Sequence, residues 1–170
     1  MNDKIRELIK LSKCFPEDVN NWIQLGYAYF QEGNINKGID CYLKVVDINP
    51  NDAINWHNLG YMYYEAEDYS NALISLEKAL KINPELTISL VEMSSIYLDQ
   101  YKFQDAMIYT KKALEIDPDD IDALTNLGSC YYNLKYYDKA IKVLNKVLVL
   151  NPKADFAEKI LKMVEEHRKK

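Results

Sequence analysis

Glycine and proline number only five each in this chain of 170 residues, histidine two and cysteine three. Collagen-like and low-complexity chains need far more glycine and proline, so both are excluded. Three cysteines, Cys14, Cys41 and Cys130, are an odd number at unrelated spacings in a chain long enough to build its own core, which points to free thiols. No apolar run approaches the ~20 residues that span a bilayer. Asp3, Arg6, Glu7, Lys10 and Lys13 interrupt the stretch where a signal peptide would be apolar, so the chain is expected in the cytoplasm. Excess positive charge is also missing: the net charge is −5 and the pI near 5.1. Neither nucleic acid nor membrane is an expected partner on that balance. What is present, 48% hydrophobic and 28% charged residues, is the mixture of an ordinary folded protein.

The five prolines are Pro16, Pro50, Pro84, Pro118 and Pro152, each 34 residues after the last. A fixed period of that size marks stacked repeats, and the chain is read in 34-residue rows. Stacking aligns Trp22, Trp56, Leu90 and Leu124; Leu25, Leu59, Met93 and Leu127; and Tyr29, Tyr63, Tyr97 and Tyr131. These columns lie three and four residues apart, so each row opens with an amphipathic helix. The second half of each row repeats the spacing, as in Leu73, Leu76, Ala79 and Leu80, and predicts a second helix. Asn36, Ser70 and Asp138 are expected to cap those second helices, with Gln104 a poorer cap in the third row. Each row closes on Asn-Pro or Asp-Pro, where the residue before proline is pushed out of helical backbone.

Two columns of small residues have a mechanical reason. Gly26, Gly60, Ser94 and Gly128 form one, and Gly38, Ala72, Ala106 and Ala140 the other. Lack of bulk at both lets the two helices of a row approach at their crossing. Ala72→Arg is therefore predicted to cost well over the ~1–3 kcal/mol of ordinary overpacking, because it also buries a charge. An unchanged melting temperature would refute that packing.

These columns resemble the tetratricopeptide repeat family, whose pattern has Trp, then Leu-Gly, then Tyr in the first helix and Ala, an aromatic, Ala and finally Pro in the second. Trp56, Leu59, Gly60, Tyr63, Ala72, Leu76, Ala79 and Pro84 carry the match in the cleanest row. The resemblance implies an all-α fold, a right-handed superhelical solenoid of antiparallel helix pairs, read as one domain over 1–170. Repeats are placed at 19–52, 53–86, 87–120 and 121–153. Residues 2–16 become an N-terminal half-repeat, carrying Ile5, Leu8, Ile9 and Leu11, and residues 154–170 a C-terminal capping helix. In that cap Phe156, Ala157, Ile160, Leu161 and Val164 are expected on one packed face. Exchange of an end helix between protomers, giving a homodimer, is the rival to capping.

No catalytic set, metal site or cofactor site emerges. His57 and His167 are the only histidines, and His167 lies in a charged tail. Cys14, Cys41 and Cys130 are read as structural, and the tyrosine column as core. The acidic run Asp117-Pro118-Asp119-Asp120-Ile121-Asp122 lacks the glycine and the bidentate glutamate of a calcium loop, so helix capping accounts for it. The glycines do not form a phosphate-binding loop.

Charge is sorted by helix. The first helices, taken as 19–32, 53–66, 87–100 and 121–134, contain no Lys or Arg, while Glu32, Glu65, Glu92, Asp99 and Asp122 lie in them. In the resembled family first helices line a concave groove, which implies a neutral-to-acidic groove here. Residues one or two steps off the packing columns are the candidate binding residues: Asn20, Ile23, Gln24 and Tyr27; Ile54, His57, Asn58 and Tyr61; Ile88, Val91, Glu92 and Ser95; Asp122, Thr125, Asn126 and Ser129. The expected function is protein–protein interaction, with an apolar or basic partner segment, extended or helical, lying in that groove. Self-assembly through the ends or groove is the alternative. RNA binding on Lys139, Lys142 and Lys146 is disfavoured, and it would show as steep salt dependence. A family subgroup clamps acidic chaperone tails with Lys, Asn and Arg. At those places stand Ile23, Tyr27, Asn58, Ile88 and Glu92, of which only Asn58 fits, so acidic tails are not expected to bind.

Overall fold

The computed structural model describes residues 3–168; the parts of the predicted end segments at residue 2 and at 169–170 lie outside them. The described residues form ten α-helices: α1 (Asp3–Cys14), α2 (Val19–Gln31), α3 (Ile35–Ile48), α4 (Ala53–Glu65), α5 (Tyr69–Ile82), α6 (Thr87–Asp99), α7 (Phe103–Ile116), α8 (Ile121–Asn133), α9 (Tyr137–Leu150) and α10 (Asp155–Arg168). They divide into two compact units, the first ending at Leu86 and the second beginning at Thr87.

In the first unit α2 packs on α3 and α4 on α5, while α1 lies against α2 and α3 against α4. Its core has two clusters. Ile5, Leu8, Leu25, Ala28 and Cys41 join α1 to the first pair, and Ile39, Tyr42, Val45, Val46, Leu59 and Met62 join the two pairs. In the second unit α6 pairs with α7 and α8 with α9, and α10 covers α8 and α9. Leu124, Ala140, Leu144, Val147, Ala157, Ile160 and Val164 fill that last seam. Each fully buried leucine or valine here contributes about 1.5–3 kcal/mol over an exposed one.

The small-residue columns sit at the crossings. A Cβ placed on Gly60 would lie 2.8 Å from Leu76 Cγ and 3.2 Å from the Ala72 carbonyl oxygen; on Gly128 it would lie 2.5 Å from Leu144 Cδ2. The third row solves the same problem differently. Its Ser94 and Thr110 hydroxyls meet at 2.5 Å in a fully buried crossing, and Thr110 donates to the Ala106 carbonyl (2.9 Å). Thr110 Oγ1 therefore accepts from Ser94, and both hydroxyls are satisfied.

Between the helices of every row the chain turns through one left-handed residue: Gly33 (φ 73), Glu67 (58), Tyr101 (58) and Lys135 (63). Only the first is the residue that adopts this region without strain. This turn corrects the expected caps. The second helices start at Ile35, Tyr69, Phe103 and Tyr137, so Asn36, Ser70, Gln104 and Asp138 fall inside the first turn rather than before it. Of the true capping positions Asn34, Asp68, Lys102 and Tyr136, only Asp68 accepts from a helix N–H, that of Asn71 (3.2 Å). Side-chain capping is instead concentrated on first helices, where Asp18, Asp52 and Asp120 accept from Asn20, Ile54 and Ala123.

Three other sequence expectations change. The tyrosine column is half-buried, with Tyr97 stacked on Tyr109 (centroids 5.4 Å apart) and lysines over Tyr29 and Tyr131. Cys14 is exposed rather than packed, since its column is the outer edge of the second helices and leaves Ile82, Ile116 and Leu150 exposed too. Phe156 does not join Ala157, Ile160 and Val164 in the seam: it is 60% exposed, because it lies on the side of α10 turned away from them.

Candidate interaction surface

The predicted binding residues fall on the first helices α2 and α4 of one unit and α6 and α8 of the other. In the first unit Tyr27 (55% exposed) and Ile54 (46%) protrude most among the apolar ones, with Asn20 and Gln24 also open to solvent. Ile23, His57, Asn58 and Tyr61 are half-buried. Tyr61 meets Phe30 edge to face, with centroids 5.8 Å apart, so its ring is fixed to α2 and only part of it is presented outward. His57 is desolvated enough that its imidazole is pushed down to about 4, which keeps it neutral at physiological pH.

In the second unit Ile88 (47% exposed) and Asp122 stand outermost, and Val91, Glu92, Ser95, Thr125 and Asn126 are half-buried. Asn126 ties the two first helices together: its Nδ2 donates to Ser95 Oγ (3.1 Å) and to the Val91 carbonyl (3.5 Å). Thr125 and Ser95 donate to carbonyls one turn back in their own helices, Ile121 and Val91. Ser129 does the same and is buried at 8% exposure, so it adds little to a surface a ligand could touch. Sequence spacing put Asn126 and Ser129 among the candidates, but could not tell that their hydrogen-bonding capacity is largely used within the unit.

The helices α2, α4, α6 and α8 carry no lysine or arginine, so the first unit's surface offers amides and apolar groups and the second unit's adds the carboxylates of Glu92 and Asp122, with no fixed cation on either. The cations stand on second helices, in a column that the sequence reading passed over: Lys44, Lys78, Lys112 and Lys146. Lys78 lies 4.0 Å above the Trp56 ring, whose indole N–H donates to the Pro50 carbonyl (2.8 Å). Trp22 makes the equivalent bond to Pro16 (2.8 Å). In the fourth row leucine replaces the tryptophan, and Lys146 reaches the vacated acceptor, the Pro118 carbonyl (2.6 Å), and the Asp119 carboxylate (2.7 Å).

Elsewhere the chemistry is subdued. Burial pushes the Cys41 and Cys130 thiols up to about 12, so both remain protonated and inert. Among the described residues no group of three or more His, Cys, Asp or Glu is placed to hold a metal ion. A hollow of about 590 Å³ lies between the α2–α3 and α4–α5 turns, lined by Asn34, Lys37, Glu65 and their neighbours, and shares no residue with the predicted set. No helix among the described residues is long and apolar enough to cross a membrane.

A family model described as the cytochrome c-type biogenesis protein H TPR domain matches residues 46–157, and one described as the tetratricopeptide repeat matches residues 20–52. No curated protein matches the sequence. Among solved structures the chain is similar to MamA, at 24% identity and a TM-score of 0.78 over 88% of this chain and 87% of that one. It is also similar to YrrB, described as a TPR protein with an unusual peptide-binding site, at 19% identity and a TM-score of 0.73 over 95% and 84%. A chain of the APC/C hetero-tetramer Cut9–Hcn1 matches at 21% identity and a TM-score of 0.82, over 98% of this chain and 33% of that one. At these identities the likeness is one of fold.

Proposed function

The chain belongs to the tetratricopeptide repeat family, and from that premise we propose that it is an interaction scaffold. Its first-helix surfaces hold a protein segment that is apolar or basic. One observation carries this: Tyr27, Ile54 and Ile88 protrude from helices that have no cation, and in the second unit Ile88 shares its helix surface with Glu92 and Asp122. On the second unit a partner with an apolar side chain and a nearby lysine or arginine buries the first on Ile88 and meets Asp122 with the second. Acidic tails and nucleic acid are repelled by the same carboxylates.

The chain is non-catalytic in this reading, supported by the protonated, buried thiols of Cys41 and Cys130. Unpaired cysteines support a reducing, cytoplasmic setting. The ends are assigned to a half-repeat, α1, and a cap, α10. The whole proposal is tested by titrating basic-apolar and acidic-apolar peptides into the wild type and into Ile88→Ser/Asp122→Asn. The basic-apolar peptides bind the wild type and lose at least tenfold in the variant. Equal binding of the acidic peptides, or binding indifferent to the two substitutions, overturns it.

A further inference from the structure

The third row differs from the others at one facing pair. Tyr97 of α6 lies against Tyr109 of α7, whereas the position of Tyr109 holds Cys41, Ser75 and Val143 in the other rows. Both tyrosines are half-buried, so each ring meets solvent along part of its edge. Their planes are 11° from parallel and their centroids 5.4 Å apart, which is a slipped stack. Lys102 stands 5.9 Å from the Tyr97 ring and Lys112 5.4 Å from the Tyr109 ring, attractive contacts that help hold both in place. By contrast, the pairs Tyr64–Tyr69, Tyr131–Tyr136 and Tyr132–Tyr137 stand 6.1–6.3 Å apart with planes inclined by 39–72°.

That geometry bears on one reaction. Removing an electron and the phenolic proton from a tyrosine leaves a radical whose unpaired electron is shared by the oxygen and ring carbons, the ortho pair among them. Two such radicals couple through the π lobes that stand above and below their rings. Rings lying face over face aim those lobes at each other, whereas steeply inclined rings aim a lobe at a C–H edge. Because the stack already holds Tyr97 and Tyr109 in contact, coupling there is a step within one chain rather than an encounter between chains.

We propose that Tyr97 and Tyr109 are a site of oxidative cross-linking, at which hydrogen peroxide spent through a haem peroxidase joins α6 to α7 by a carbon–carbon bond. Each ring gives up one electron and its phenolic proton. The bond forms between a carbon ortho to each hydroxyl, and the hydrogen displaced from that carbon moves to the oxygen of the same ring, restoring both phenols. Peroxide takes up the two electrons and two protons and leaves as two waters. The product is the same chain less two hydrogens. Its third row is then tied covalently beside the crossing that the Ser94 and Thr110 hydroxyls occupy, and the tie fixes α6, from which Ile88 protrudes. This chemistry is independent of whether a partner binds at Ile88.

Dilute protein treated with limiting peroxide and a haem peroxidase, then digested with trypsin, tests this. Trypsin cuts after Lys102, so Tyr97 and Tyr109 leave in separate peptides, 82–102 and 103–111, unless their rings are joined. The wild type yields the two peptides as one species, lighter than their sum by two hydrogens, and fragmentation places the bond at Tyr97 and Tyr109. Tyr97→Phe and Tyr109→Phe keep a ring in the stack but have no phenol, and each lowers the yield of joined peptides by about tenfold or more. Tyr101→Phe, in the same peptide as Tyr97, leaves the yield unchanged. Peroxide consumed without joining these peptides, joined peptides that survive Tyr97→Phe, or a bond that goes to the exposed Tyr101 overturns the proposal.

Discussion

The crossing of α8 and α9 makes a sharp test of the packing. Adding one methyl group at Gly128 puts a carbon 2.5 Å from Leu144 Cδ2 and 2.7 Å from Leu144 Cγ, in a crossing where Leu144 is fully buried. Overpacking of this kind costs ~1–3 kcal/mol. Against it stands the ~0.8–1.0 kcal/mol that alanine gains over glycine inside a helix. Gly128→Ala therefore loses about 1 kcal/mol net, a fall of about 2–4 °C in melting temperature for a chain of this size. In a Leu144→Ala background, itself about 2–5 kcal/mol less stable, the obstruction is gone and only the helix gain remains. There Gly128→Ala stabilises by about 1 kcal/mol, so the sign reverses and the coupling is about 2 kcal/mol. Urea denaturation of the four proteins followed by circular dichroism measures it. The same sign in both backgrounds would mean that the glycine is not there to admit Leu144.

Other outcomes follow from single contacts. Ser94→Ala removes the hydroxyl pair while Thr110 still donates to Ala106, so the loss is about 1 kcal/mol, seen as a lower denaturation midpoint. Lys135→Gly relieves the ~1–2 kcal/mol cost of left-handed backbone and adds ~0.5–1 kcal/mol of chain entropy cost, so stability rises by about 0.5–1 kcal/mol; a fall refutes the strain. The pKa of His57 is lowered from 6.5 to about 4, so the neutral ring's contribution is complete above pH 6.5 and is lost as the pH falls through about 4. His57→Gln flattens that part of the melting-temperature profile; parallel profiles would show that His57 is not the group responsible.

The helix pairs were legible because proline at 34-residue steps and the Trp, Leu-Gly and Tyr columns repeat a spacing that only a helix satisfies. The turn geometry was not. A left-handed residue announces itself when it is glycine, as at Gly33, but Glu67, Tyr101 and Lys135 give no sign, and the expected caps slipped by two residues as a result. Phe156 was assigned by its hydrophobicity to the packed side of α10, whereas its register with Ile88 and Asp122 was the better guide to its exposure. On the candidate surface, spacing selected first-helix residues, but did not show that Asn126 spends its amide hydrogens on α6 or that Tyr61 leans on Phe30. Those are long-range contacts, and no local pattern encodes them.

The carbonyls of Pro16, Pro50 and Pro118 are sockets filled by side chains of the helices that follow. Trp22 and Trp56 plug the first two with an indole N–H, and Lys146 plugs the one at Pro118 from the opposite helix after the indole has been lost. The fourth row thus differs from the second more in its letters than in its joint, because the loss of its tryptophan is balanced by a lysine at the same socket.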